Sequence, residues 1–133
     1  MNKIEHIGIA VKSISESANI YEKLLGLAPY KTEFVKGESV NTMFFRVGES
    51  KIELLESTDP HSAIARFLDK RGEGMHHIAF DVDDIETEMA RLKREGFVLV
   101  NEVPKLGADN KLVCFVHPKY SNGVLIELCQ KIS

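Results

Sequence analysis

The sequence predicts an α+β fold made of two tandem strand–helix–three-strand (βαβββ) units. Three observations carry this. First, Glu5 to Val11 can be laid over His76 to Val82, so that His6 meets His77, Ile7 meets Ile78 and Val11 meets Val82; continued without a gap, Ile14 meets Ile85. Second, each of these strand-like runs leads into a run with helical spacing. Third, each half then ends on a matching pair of apolar runs. Lys51-Ile52-Glu53-Leu54-Leu55 resembles Leu125-Ile126-Glu127-Leu128-Cys129, and each is preceded by another run, Thr42 to Val47 in one half and Leu112 to Val116 in the other.

The elements follow in order. Residues 13–25 place Ile14, Ala18, Tyr21 and Leu25 on one helical face, and Ser13 with Glu16 suits a capping box. Residues 84–95 place Ile85, Met89 and Leu92 likewise, with Asp83 and Glu86 where a cap and its partner would sit. Gly26 and Gly96 follow the two helices as C-terminal stops. Gly48-Glu49-Ser50 and Ser121-Asn122-Gly123 supply turns between the paired runs. Between the halves, Asp59-Pro60 reads as a turn, Ile64, Phe67 and Leu68 as a short amphipathic helix, and Gly72-Glu73-Gly74 as a flexible re-entry. The organisation expected is one domain over residues 1–133, with a first unit at about 1–56, a linker at about 57–74 and a second unit at about 75–133.

Composition narrows the function classes. The 133 residues are 44% hydrophobic and 28% charged, with a net charge of −3 and a pI near 6.0. This balance gives no electrostatic footprint for nucleic acid or an anionic membrane. The start, MNKIEHIGIAV, lacks the long apolar stretch of a signal peptide, and no run approaches the roughly 20 apolar residues that span a bilayer, so a cytoplasmic location is expected. Cys114 and Cys129 show no zinc-type spacing. A single bridge between them is conceivable; buried reduced thiols are the expectation.

Strand alternation isolates four polar residues. Ile7, Ile9 and Val11 share one face and leave His6 on the other; Ile52 and Leu54 oppose Glu53. Ile78, Phe80 and Val82 oppose His77, and Ile126 and Leu128 oppose Glu127. A lone strand histidine is more often a hydrogen-bonded structural residue, and a lone strand glutamate more often faces solvent. Here both pairs recur at repeat-equivalent positions, 71 residues apart for the histidines and 74 for the glutamates. Two imidazoles and two carboxylates brought to a common centre suit one divalent ion with positions left for water or substrate. His61 after a turn, His117 before Pro118 and His76, which alternates away from His77, keep structural readings.

Over nearly the whole chain these residues resemble the vicinal-oxygen-chelate (glyoxalase/bleomycin resistance/dioxygenase) superfamily, and within it the methylmalonyl-CoA epimerase family. The stretches that carry the resemblance are Ile4 to Val11, Tyr21 to Leu27, Lys51 to Glu56, Ile64 to Leu68, Arg71 through the double histidine to Phe80, Val82 to Ile85, His117-Pro118-Lys119 and Gly123 to Leu128. The resemblance implies a glyoxalase-like fold, an open, cupped mixed sheet around a metal site, and a homodimer. It implies metal ligands at His6, His77 and Glu127, with Glu53 at a fourth position where some relatives carry Gln. It also implies one divalent ion per chain, cobalt or manganese before nickel or zinc, and an acyl-CoA thioester substrate. Its reaction would be epimerisation by α-proton abstraction through a metal-stabilised enolate, with Glu127 and then Glu53 as acid–base candidates. A further acidic residue proposed as a second base in some epimerases falls near Thr42, which cannot serve, and Glu38 is nearby. Lys105, Lys111 and Lys119 are candidates for phosphate contacts.

The same His, Glu, His, Glu set is similar to that of glyoxalase I, so a lactoylglutathione lyase acting on a hemithioacetal is the alternative. Two readings from other classes are weaker. A metal-free small-molecule binding protein has no need of four ligands, and an extradiol dioxygenase uses two histidines and one carboxylate on iron. Metal content discriminates the first and oxygen uptake with a catechol the second.

Overall fold

The computed structural model describes residues 1–132. They fall into two compact units, residues 6–76 and residues 1–5 with those from His77 onward. The secondary structure is α+β, and each half follows the βαβββ order expected from the repeat. In the first, β1 (Lys3–Ala10) is followed by α1 (Ile14–Leu25), β2 (Lys31–Val35), β3 (Val40–Val47) and β4 (Ser50–Ser57), and then by the connecting helix α2 (Ala63–Arg71). Its strands lie in the order β2-β3-β4-β1, with β1 parallel to β4 and the other pairings antiparallel. In the second, β5 (Gly74–Asp81) leads to α3 (Ile85–Arg94), β6 (Lys105–Leu106), β7 (Lys111–Val116) and β8 (Ile126–Lys131). The order is β5-β8-β7-β6, with β5 parallel to β8 and the rest antiparallel.

The apolar strand faces pack on the helices, as alternation requires. Ile9, Val11, Met43, Phe45, Ile52 and Leu54 meet Ile14, Tyr21 and Leu25 of α1. Val82, Cys114, Val116, Ile126 and Leu128 meet Ile85, Met89 and Leu92 of α3. Both cysteines are buried and neither is in a disulfide, as expected. No helix among the described residues is long and apolar enough to cross a membrane.

The helix ends show local chemistry at work. Ser13 caps α1 by accepting from the Glu16 N–H. The second cap is Asp84, one residue later than expected: it accepts from the Thr87 N–H. Asp83 accepts instead from the Asn2 side chain. Gly26 ends α1 at φ 70°, a left-handed conformation that a residue without Cβ adopts freely. His117 caps a short turn of helix with its ring, Nδ1 accepting from the Lys119 N–H. His76 packs edge-on against Phe67 of α2.

The repeat extends to contacts invisible in the alignment. The Ile14 N–H donates to Glu56 Oε1 at 2.8 Å, and the Ile85 N–H donates to Gln130 Oε1 at 2.8 Å. Each acceptor lies three residues beyond Glu53 or Glu127. Beside them, the Val11 N–H donates to the Leu55 carbonyl and the Val82 N–H to the Cys129 carbonyl, both at 2.9 Å. The strand that carries each glutamate is thereby tied to the start of its helix.

Two outcomes are expected. Glu56→Ala should lower the unfolding free energy by about 1–2 kcal/mol, because it orphans a partly buried N–H. Glu56→Gln should stay within about 0.5 kcal/mol of the parent, since Gln130 does the same work with an amide oxygen; urea unfolding of both variants checks this. Burial pushes the Cys114 thiol up to about 11 from an ordinary value of 9.0. A raised thiol contributes stability that is complete below the unfolded value and lost as pH rises through the folded one. The stability difference between the parent and Cys114→Val should therefore be constant below pH 9 and move against the parent between 9 and 11. A flat difference across that window would exclude the burial effect.

Candidate metal centre

Each half carries a buried histidine–glutamate pair. His6 Nδ1 lies 3.1 Å from Glu53 Oε2, and His77 Nε2 lies 3.1 Å from Glu127 Oε1. All four residues are only 3–6% exposed, so their charge is balanced by protein or ligand and not by bulk water. Strand register produces both pairs. Gly8 stands beside Glu53 in the β1–β4 ladder, and Ala79 beside Glu127 in β5–β8. The histidine sits two residues before each small residue, on the same face, and the small residue leaves the imidazole and carboxylate room to turn toward each other.

Aromatic rings wall both pairs. Phe44 faces Glu53 across the β3–β4 ladder, and Phe115 faces Glu127 across β7–β8. The Phe115 ring meets His77 edge-on at 5.9 Å. A lysine lies over each phenylalanine, Lys31 over Phe44 at 5.2 Å and Lys105 over Phe115 at 5.6 Å. The sequence His–Glu–Phe–Lys is thus built twice in space, once per half, from four separate strands.

Of the lysines singled out for phosphate contacts, Lys105 is the one over Phe115, and Lys119 lies over Tyr120 at 5.9 Å. Lys111 points its ammonium to Glu5 at 3.8 Å, and both side chains are largely buried. Glu38 lies in a short 3-10 turn before β3. Thr42 is fully buried beside Leu55 on the face that carries Glu53, and its hydroxyl has no hydrogen-bond partner among the described residues.

One contact was not foreseen in the sequence. The Cys129 thiol donates to Glu127 Oε2 at 2.8 Å, a close approach for a sulfur donor. Glu127 therefore has one oxygen on His77 and the other on Cys129. The available signal was spacing: residues 127 and 129 of one strand share a face. The Glu5–Lys111 contact was also missed, because a glutamate next to a site histidine reads as its solvent-facing neighbour.

The donor chemistry fits a divalent ion. Two imidazoles and two carboxylates are the nitrogen and oxygen donors that borderline and hard divalent ions take, and both kinds are buried in each half.

Residues 5–115 match the profile of the Glyoxalase/Bleomycin resistance protein/Dioxygenase superfamily. The chain belongs to this superfamily. Within it the chain is an epimerase-like isomerase, as its relatives show. An uncharacterized protein of Bacillus subtilis, YqjC, is 41% identical over 98% of this chain and 93% of its own. The mitochondrial methylmalonyl-CoA epimerase of Dictyostelium discoideum is 36% identical over 98% of this chain and 80% of its own. A variant of Streptomyces coelicolor methylmalonyl-CoA epimerase, solved with 2-nitronate-propionyl-CoA, superposes with a TM-score of 0.96 at 31% identity, covering 100% of this chain and 96% of that one. Superfamily enzymes of this kind typically bind a divalent metal, and these donors agree with that.

Removing the His77 imidazole takes one contact from the buried Glu127 carboxylate and leaves the one from Cys129, at a cost of about 1–3 kcal/mol. In chelator-treated protein, His77→Ala should lose stability of this order in urea unfolding. His61→Ala, at an exposed position, should stay within about 0.5 kcal/mol of the parent. Equal, small effects from both would mean that the His77–Glu127 contact carries no energetic weight.

Proposed function

We propose that this chain epimerises methylmalonyl-CoA, with His6, Glu53, His77 and Glu127 holding one divalent ion. The observation that carries the reading is the doubled His–Glu pair, buried at equal distance and at repeat-equivalent positions in the two halves. Burying a carboxylate costs several kcal/mol, and a second one repeats the cost, so a shared cation is the economical reason to keep both. In this reading the two units act together as one domain. Cobalt or manganese is the favoured ion, and nickel or zinc also meets this donor set.

When bound, the ion supplies Lewis-acid stabilisation of the negative charge that develops on the substrate's oxygens as the α-proton leaves. The chain supplies the rest. Inversion needs a group that takes the proton on one face of the α-carbon and a group that returns one on the other. Glu127 is the stronger candidate for the first role and Glu53 for the second. His6 and His77 orient the carboxylates, and Phe44 and Phe115 keep water from the exposed carbanion face. The Streptomyces structure with an acyl-CoA analogue supports an acyl-CoA thioester as substrate. We further propose a cytoplasmic homodimer; the exposed Ile20 and Leu24 of α1 offer apolar surface to a second copy.

Glu53 favours one second reading. With a carboxylate at that position the set is His, Glu, His, Glu, which also suits isomerisation of a glutathione hemithioacetal. The test is α-proton exchange with methylmalonyl-CoA in deuterated water, run beside a hemithioacetal assay on the same cobalt-loaded protein. Exchange should be fast with the thioester and abolished by a chelator. Glu127→Gln should retain metal and lose about 10²–10⁴-fold in exchange, because an amide coordinates through oxygen and cannot accept the proton. Turnover of the hemithioacetal alone would transfer the assignment to the lyase, and full activity in metal-free protein would end the Lewis-acid account.

A further inference from the structure

We infer that Cys129 is a positioning residue for Glu127: its thiol holds Oε2 so that the carboxylate presents its other oxygen to the ion. The inference rests on the metal reading above. Cys129 is fully buried, two residues from Glu127 on the same strand face, with its S–H donating to Oε2 at 2.8 Å. The opposite oxygen, Oε1, is the one at His77. Glu127 is thereby fixed at both ends and cannot rotate to offer both oxygens to the ion.

The repeat supplies an internal comparison. The residue equivalent to Cys129 is Leu55, two residues after Glu53 on β4, and leucine has no donor. Ala79 and Val113 pack against Cys129 on its apolar side. The thiol thus gives Glu127 a donor that Glu53 does not receive from the equivalent leucine. Groups that orient a metal ligand from behind typically contribute 10–100-fold to metal affinity.

The test is cobalt binding to the full chain after chelation, followed by titration, in the parent, Cys129→Ser, Cys129→Val and Cys114→Val. Cys129→Ser keeps an O–H donor and should bind cobalt within a few-fold of the parent. Cys129→Val keeps the volume, loses the donor and should bind about 10–100-fold more weakly. Cys114→Val removes the other buried thiol, on the helix-facing side of β7, and should bind as the parent does. If Cys129→Val does not fold, Cys129→Ala makes the same comparison. Parent-like affinity in the folded donorless variant would overturn the inference and leave the metal reading standing. A thiolate-to-cobalt charge-transfer band in the parent, lost in Cys129→Ser, would also overturn it, because the sulfur would then be a ligand itself. A parent chain that binds no cobalt would sink the metal reading and this inference together.

Discussion

Everything near the site depends on keeping a carboxylate and an imidazole in contact on a buried strand face. A buried glutamate that lost its partner would neutralise or draw in water, and the strand around it would loosen. The contact tolerates no slip in register, because a shift of one residue sends every side chain to the opposite face. Glu53 would then enter the apolar layer under α1, and Ile52 would take its place beside Gly8. The large apolar residues on the helix side make such a slip costly. Phe45 and Leu54 are fully buried there, as is Leu128 in the other half.

The registers are pinned at the end of each site strand. Glu56 and Gln130 come three residues after the site glutamates and accept from the first N–H of α1 and α3. One side chain thus satisfies an orphan helix donor and fixes how far its strand has advanced. Gln at one end and Glu at the other show that the task is to accept a hydrogen bond, not to carry charge. The same economy places Ser13 and Asp84 at the caps, where different side chains offer the same oxygen.

Much of this was legible. The matched His and Glu positions, the two amphipathic helices and the apolar faces all follow from periods of 2 and 3.6 in the sequence, and the halves reinforce each other. Among the features that were not, three are instructive. The strand β6 has two residues, too few to show any alternation. The second cap falls on Asp84, since two adjacent aspartates offer the same oxygen and only the chain path decides between them; Asn2 takes up Asp83. Cys129 read as a core thiol because composition does not show that a strand neighbour two residues away is a carboxylate in need of a donor. The first two are failures of short-range signal. The third is a tertiary fact hidden by an ordinary residue.

The differences between the halves matter as much as the repeat. On the site-bearing faces, Gly8 corresponds to Ala79, Thr42 to Val113 and Leu55 to Cys129, while His, Glu and Phe stay the same. Two of these exchanges alter polarity. Val113 packs with Ala79 and Cys129, whereas Thr42, nearly the same shape, buries a hydroxyl that no group among the described residues answers. The fold therefore does not require a polar side chain at that position, and its presence weighs against stability by the desolvation of one hydroxyl. Chemistry gives a reason for asymmetry. In the proposed epimerisation a proton leaves one face of a carbon and arrives at the other, while a long chiral CoA tail lies on only one side of the substrate. A perfectly doubled site would present identical groups to unequal surroundings. Under the proposed mechanism, keeping the His–Glu pairs alike and varying the residues beside them would let two equal ligand sets serve two unequal acid–base tasks.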